Sequence, residues 1–474
     1  MWFWLLVLVW AAGPACIPHL LLLNKRPTAT LAWLWALLLF PFFGTVLYLM
    51  IGSEQVKRRR MNRRVEFRQK NQWFSARSHA GKAWSKKKSI AIKAQTLFDT
   101  LSNITQLPVC TVSDLQVLRK APAYYASLKE AIRGATHSVE FQTFIWRDDE
   151  VGAEFLELLI ETAQRGVTVR VLVDELGSFW LRESYFRPLV KAGGQFSWCH
   201  TLSPLRSRYS FNLRNHRKLQ VIDGAIAYVG GMNFGREYAS RNPYYGDWGD
   251  VQVRVEGTVV RVLQQIFAED WFFGTGKSDI QDPPKIAVET EEVSFIQILR
   301  GGPDEEDQPM LRSNLALVAT ASKRLWIAPG YFVPGETMLA ALQVATARGV
   351  DVRILVSLKS QHPLLVKAGR SYYDALLRHG VKIFEYDQGI EHSKYVIIDE
   401  EWVSVGSSNF DERSMRLNFE LSLLAYNHET NHEFAEIFQE TLSESHEINR
   451  ELFAKRSYRE KLMEAALRPL SPVL

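Results

Sequence analysis

Residues 216–233 read HRKLQVIDGAIAYVGGMN, and residues 392–409 read HSKYVIIDEEWVSVGSSN. Laid over one another, they keep His216 with His392, Lys218 with Lys394, Asp223 with Asp399, Gly230 with Gly406 and Asn233 with Asn409. One such string could arise by chance; a second in the same register marks a duplicated half-site. Two histidines and two lysines converging on one place call for an anionic ligand, most simply a phosphodiester.

The duplication extends outward from these stretches. Val167 to Val173 (VTVRVLV) and Val350 to Val356 (VDVRILV) are near-continuous apolar runs, as expected of strands covered on both faces. Each follows a helix-like segment, Val151 to Arg165 and Glu336 to Arg348, closed by Gly166 and Gly349. TAQRGV (162–167) is echoed by TARGV (346–350), and ATHS (135–138) by ATAS (319–322). The pattern predicts an α/β fold of two pseudo-symmetric lobes, each a mixed sheet flanked by helices, packed face to face around the site. We place the first lobe at 114–280, a joining segment at 281–308, and the second lobe with a charged C-terminal helix at 309–474.

Residues 1–53 read as a membrane anchor of two hydrophobic spans. Met1 to Asn24 carries no charged side chain, although Gly13, Pro14 and Pro18 weaken it as a helix. Leu31 to Ile51 (LAWLWALLLFPFFGTVLYLMI) has the roughly 20 apolar residues a span needs. Pro41 and Gly44 inside it are expected to be tolerated there. A cleaved signal peptide is disfavoured, because no basic region precedes the apolar one. Only Lys25 and Arg26 lie between the stretches, whereas Lys57, Arg58, Arg59, Arg60, Arg63 and Arg64 follow the second. That asymmetry predicts a multi-pass protein of the cell membrane with its catalytic domain facing the cytoplasm. Residues 54–113 then form a basic juxtamembrane connector, expected to hold anionic headgroups at about 1 kcal/mol per cation, or to serve only as the topology signal.

The net charge of +5 suits an anionic partner without choosing between lipid and nucleic acid. A nuclease would need a basic groove interleaved with aromatic side chains. Here the aromatics concentrate in the N-terminal and apolar runs, so no nucleic-acid partner is expected. Cys16, Cys110 and Cys199 are too few and scattered for a disulfide framework or a zinc site.

On a strand, positions i and i+2 share a face, so each histidine and its lysine point the same way. Asp223 and Asp399 complete the candidate catalytic set, but stand an odd number of residues further on; their expected role is structural, at a strand end. Asn233 and Asn409 can donate amide hydrogens to phosphate oxygens, and the adjacent glycines allow close backbone approach. The lysines would neutralise a phosphodiester so that one neutral imidazole attacks phosphorus while the other, protonated, serves the leaving oxygen. That chemistry requires no metal or cofactor. Each imidazole also needs a group fixing its tautomer. Asp250, in WGDVQV, is the candidate after His216, and Glu420, in NFELSLL, the candidate after His392.

These motifs resemble the phospholipase D superfamily, whose hallmark is a duplicated His-Lys-Asp signature, and within it the bacterial-type cardiolipin synthases. NHRK (215–218) through GGMN (230–233) is similar to that family's first motif. GSSNFDERS (406–414) with LNFE (417–420) is similar to its second. YFVP (331–334), Glu256-Gly257, Asp270-Trp271 and LSP (470–472) also fit. The resemblance implies phosphatidyl transfer between two phosphatidylglycerol molecules, giving cardiolipin and glycerol, in a membrane-embedded protein whose partners are anionic lipids. It further implies His216 as nucleophile and His392 as general acid and base. Hydrolysis, or transfer to another alcohol, would use the same residues. Ala328-Pro329-Gly330 ahead of Tyr331, and Gln361 ahead of His362, depart from the family's pattern and bear on acceptor preference.

Overall fold

The alternation of apolar runs with helix-length segments resolves, in the computed structural model, into two sheets. It describes residues 10, 12–23, 25, 27–52, 55–70, 92–200, 213–280, 294–305 and 307–470. In chain order the first half holds β1 (Val109–Val112), β2 (Asp114–Arg119), β3 (Ser138–Thr143), β4 (Thr168–Val173), β5 (Gln195–Trp198), β6 (Leu219–Ile222), β7 (Ile226–Gly230), β8 (Trp248–Gly249) and β9 (Val251–Glu256). The second half holds β10 (Ser294–Gly301), β11 (Arg324–Pro329), β12 (Phe332–Val333), β13 (Asp351–Ser357), β14 (Lys382–Tyr386), β15 (Ile390–Glu391), β16 (Lys394–Ile398), β17 (Trp402–Gly406), β18 (Phe410–Asp411), β19 (Glu420–Tyr426) and β20 (Ser445–Glu447).

One sheet runs β2-β9-β7-β6-β3-β4-β5 and the other β1-β10-β19-β17-β16-β11-β13-β14-β20. Without the edge strands β1 and β20, the two orders are equivalent strand for strand. In both, three consecutive strands are parallel, β3-β4-β5 and β11-β13-β14. The branched faces of the central strands meet between the lobes: Val221, Val229 and Val253 share one core with Val403, Val405, Leu421 and Leu423. β-Branched side chains suit this pleated, doubly covered surface.

Two segment limits differ from the sequence reading. Val109–Val112, taken as connector, is the edge strand β1 of the second lobe's sheet, antiparallel to β10. The helix Ile92–Thr105 ahead of it buries Ala94, Leu97, Phe98 and Leu101 in that lobe's core. Ser294–Gly301, taken as joining segment, is β10 itself, paired with β1 and β19. The acidic, proline-containing run before it masked a strand that is buried along nearly its whole length; most of that run, 281–293, lies outside the described residues.

The N-terminal stretch also departs from expectation. Its helices are α1 (Ile17–Leu22), α2 (Pro27–Leu39) and α3 (Pro41–Leu47), followed by a π-helical turn at Tyr48–Gly52. Phe40 leaves helical geometry (φ −127°, ψ 62°), and α3 restarts with Pro41 in its first turn. A proline ring clashes with the carbonyl four residues back, and its missing N–H is harmless only at a helix start. Leu31 to Ile51 therefore lies in two short helices and a π-helical turn rather than one continuous helix. Among the described residues no helix is long and apolar enough to cross a membrane. Residues 1–9, 11 and 24 of the first stretch lie outside the described residues.

Helix α4 (Gln55–Lys70) carries the basic cluster Lys57 to Arg64, and three of its arginines turn toward the body. Arg60 is only 4% exposed. It pairs with Asp270 and, at 3.2 Å, with Asp304, while its guanidinium lies 3.7 Å from the Phe419 ring centre. Arg64 pairs with Glu269 (3.2 Å) and Glu305 (2.9 Å), and Arg63 donates to the Phe273 carbonyl at 3.1 Å. These three neither hold headgroups nor stand free in solvent. They dock α4 against an acidic patch.

Candidate active site

β3 and β6 are antiparallel, with Gln142 opposite Leu219. The residues entering β6 therefore lie at the C-terminal ends of the parallel strands, the usual ligand crevice of an open α/β sheet. β11 and β16 repeat this, with Pro329 opposite Lys394. Each histidine sits in the extended lead-in, just ahead of its strand.

The lobes are stitched together at these lead-ins. Asn215 bridges to Phe419, and β15 pairs in parallel with β8. The His216 N–H donates to the Phe419 carbonyl at 3.0 Å, and the His392 N–H to the Gly249 carbonyl at 2.7 Å. In both cases the next residue along the partner strand is an acid. His216 Nδ1 lies 3.0 Å from both oxygens of Glu420, and His392 Nδ1 lies 2.9 Å from Asp250 Oδ2. The two orienting candidates are thus both in contact with imidazoles, but crosswise: each ring is served by the acid of the other lobe. With Nδ1–H given to a carboxylate, Nε2 keeps its lone pair.

The lysines close around the same point. Lys218 Nζ donates to the His216 carbonyl at 2.8 Å. Lys394 Nζ bonds the His392 carbonyl and lies 2.8 Å from His392 Nδ1 and 3.2 Å from its Nε2. Its distance to Asp250 Oδ2 is 3.9 Å. Aromatic rings wall the pocket: Phe144 sits edge-on to His216 at 4.8 Å, with Trp248 and Tyr331 at 5.2 and 5.6 Å from His392.

Burial pushes the His392 pKa down to about 3, helped by the Lys394 ammonium and opposed by Asp250. Burial also lowers His216, against the pull of Glu420. Both lysines are lowered by burial, with Glu420 opposing most at Lys218 and Asp250 at Lys394. Burial alone would raise Glu420, yet His216, Lys218 and Ser407 hold it below the usual carboxylate range. Near pH 7 both rings are therefore neutral, beside two lysines whose own proton affinity burial has lowered. An anion entering here favours protonation of the imidazoles.

Ser407 was visible in the sequence only as a small residue beside Gly406. It is fully buried, donates to Glu420 Oε2 at 2.6 Å and accepts from Leu421 N at 3.0 Å. The matching first-lobe position is Gly231, where a Cβ would collide with the Asp250 carboxylate. Asn418 Nδ2 adds a contact to Glu420 at 3.3 Å. Asn233 Oδ1 accepts the Ile145 N–H at 3.1 Å, holding the turn after β3. Asn409 is buried near Lys394, and its Oδ1 has no hydrogen-bond partner among the described residues.

Asp223 and Asp399 stand at the far ends of β6 and β16 from the histidines. Both adopt left-handed backbone, φ 53° and 50°. Asp223 accepts the N–H groups of Thr136, His137 and Ser138, each at 2.8 Å. Asp399 accepts those of Ser322, Lys323 and Arg324 at 3.0, 2.7 and 3.1 Å. They clamp the turn after the motif strand to the start of β3 or β11, so the structure removes them from the reacting set. Among the described residues no group of His, Cys, Asp and Glu is arranged to hold a metal ion.

Two lobes presenting one imidazole each across a shared crevice are the architecture of a phospholipase D-like protein. The sequence profile described as "Cardiolipin synthase, PLD-like domain" matches residues 128–271 and 315–442, one block per lobe. The chain belongs to this family of PLD-like cardiolipin synthases. A cardiolipin synthase of Geobacillus kaustophilus is 34% identical over 458 residues, spanning 95% of this chain and 90% of the relative. Cardiolipin synthase 2 of Bacillus cereus is 35% identical over 458 residues, spanning 95% and 88%. The crystal structure of phosphatidylserine synthase from Haemophilus influenzae matches with a TM-score of 0.62 over 80% of this chain and 100% of that one. At 15% identity, that is a likeness of fold.

Proposed function

We propose that this chain is a phosphatidyltransferase that joins two phosphatidylglycerol molecules into cardiolipin, releasing glycerol, through a phosphohistidine. The crossed pairs His216–Glu420 and His392–Asp250, with Lys218 and Lys394 between them, carry the reading. The lysines offset the phosphodiester charge that would repel a nucleophile. His216 Nε2 attacks phosphorus, a P–N bond forms, and the P–O bond to the donor's glycerol breaks. His392, protonated as the anion arrives, gives its proton to the departing glycerol oxygen. The hydroxyl of a second phosphatidylglycerol then loses its proton to His392, attacks phosphorus and frees His216.

His216 is assigned as nucleophile because its ring must carry positive charge for the lifetime of the intermediate. Glu420, fully buried, held ionised and bonded by Ser407 and Asn418, is built to balance that charge. Asn409, near Lys394, is placed to offer its amide to a phosphate oxygen. The apolar N-terminal segments support a membrane-bound protein, with the body on the cytoplasmic side by the distribution of cations around them.

The test is purified full-length protein in phosphatidylglycerol vesicles with a labelled donor. Labelled cardiolipin with stoichiometric glycerol is expected. Phosphatidic acid as the sole lipid product would mean that water is the acceptor, and the transferase reading would fall.

A further inference from the structure

The loop following β4 is pinned at its base and bare at its tip. Ser178, 1% exposed, bonds the Trp146 N–H at 2.9 Å and the Phe144 carbonyl at 3.3 Å. Leu181 returns to the core at 7%. Between them Phe179 is 57% exposed and Trp180 84%, their rings edge-to-face at 5.1 Å. The base rests on Phe144, the ring that walls His216.

The pseudo-equivalent loop of the second lobe follows β13. There Leu358 is 41% exposed, and Leu364, in the first turn of the helix Pro363–Arg370 that ends the loop, is 49% exposed. Ser357, one residue earlier, accepts the Glu391 N–H at 3.1 Å, immediately before His392. His362 meets Tyr331 edge-to-face at 5.8 Å, and Tyr331 packs against His392. Two topologically matched loops thus raise exposed apolar side chains beside the two imidazoles, with exposed cations Arg182 and Lys359 next to them. The helix coming from the apolar N-terminus docks nearby. Arg60 stacks on Phe419, Phe419 on His200, and His200 Nδ1 lies 3.6 Å from Asp174 at the root of the first loop.

We infer that Phe179 and Trp180, with Leu358 and Leu364 opposite, form a rim that dips into the headgroup region of an anionic bilayer, so the catalytic crevice meets lipid phosphates without extracting the lipid. Aromatic side chains favour that depth, where the ring is apolar and its edge is wet. Flanking cations favour an anionic surface. A soluble partner protein is the alternative that the test must reject. The inference rests on the lipid-transfer reading above.

The test compares wild type with the Phe179→Ser/Trp180→Ser double variant, both full-length, on two presentations of phosphatidylglycerol. One is long-chain lipid in vesicles; the other is a dihexanoyl form dissolved below its micellar limit, with enzyme in detergent. On vesicles the variant is expected to lose about tenfold in cardiolipin formation; on dissolved donor it should match wild type. A parallel loss on both presentations, or none on either, would overturn the rim. If wild type itself forms no cardiolipin from either, the reading beneath it has failed instead. As a second measurement, Trp180→Cys carrying a polarity-sensitive dye should shift to the blue on anionic vesicles. The same dye on Arg133→Cys, at the opposite end of β3, should not. Equal responses at both positions would refute insertion.

Discussion

Glu420→Gln preserves the shape of the acid facing His216 while removing its charge, 3.0 Å from Nδ1. During attack on phosphorus the ring acquires a full positive charge. Two unit charges at that separation and an effective dielectric of ~20 attract by about 5 kcal/mol. The glutamine oxygen still accepts the Nδ1 proton, retaining about 1 kcal/mol as a neutral hydrogen bond. The remaining 4 kcal/mol or so corresponds to about three powers of ten in rate. Glu420 also faces Lys218, which shares its charge, so a loss of about 10²–10³ is expected in formation of the covalent intermediate. The assay is rapid quench with a donor whose leaving group is p-nitrophenol, which needs no acid, followed by mapping of the phosphorylated peptide. Asp250→Asn should then slow the burst by less than about tenfold, because its partner His392 is idle in that step. Label on His216 together with a burst abolished by Asp250→Asn and spared by Glu420→Gln would refute the crossed pairing.

Three further outcomes follow. His392, lowered to about 3, stays neutral in the folded protein while the unfolded chain takes up a proton below about 6.5. Its contribution to stability is complete above that value and drains away as pH falls toward 3, by up to about 1.4 kcal/mol per pH unit. Thermal melts between pH 4.5 and 7 should show that slope, His392→Asn should flatten it, and a level wild-type profile would contradict it. Asp223→Ala removes the acceptor of three backbone N–H groups and should cost about 1–3 kcal/mol in denaturant unfolding, with kcat of the folded fraction nearly intact. Arg60→Ala strips Asp304 of its arginine and Asp270 of one of its two arginines, and should lower stability by about 3 kcal/mol, seen as a depressed Tm.

The duplication was legible because it is written in identical offsets, and each copy of the motif leads into the same strand of its sheet. The structural role of Asp223 and Asp399 was legible from parity: an odd step along a strand leaves the face that the histidine occupies. The crossed pairing was not, since which acid meets which ring depends on bridges between Asn215 and Phe419, and between β8 and β15, far apart along the chain. Arg60 misled for a related reason. Six cations within a few residues look like a solvated face until Glu269, Asp270, Asp304 and Glu305 are folded beneath Arg60 and Arg64. The break inside Leu31 to Ile51 was hidden because average hydropathy does not register where a single proline stops a helix.

Because each imidazole borrows its acid from across the interface, the gene cannot be divided into two working halves. A one-lobe ancestor could have functioned only as two copies facing each other, and fusion made that mutual dependence permanent. Replacement of one lobe by a foreign counterpart disarms the native histidine as well, unless the incoming sequence brings a carboxylate to the same spot. Natural variation should therefore spare Asp250 and Glu420, each held in place by the needs of the opposite lobe.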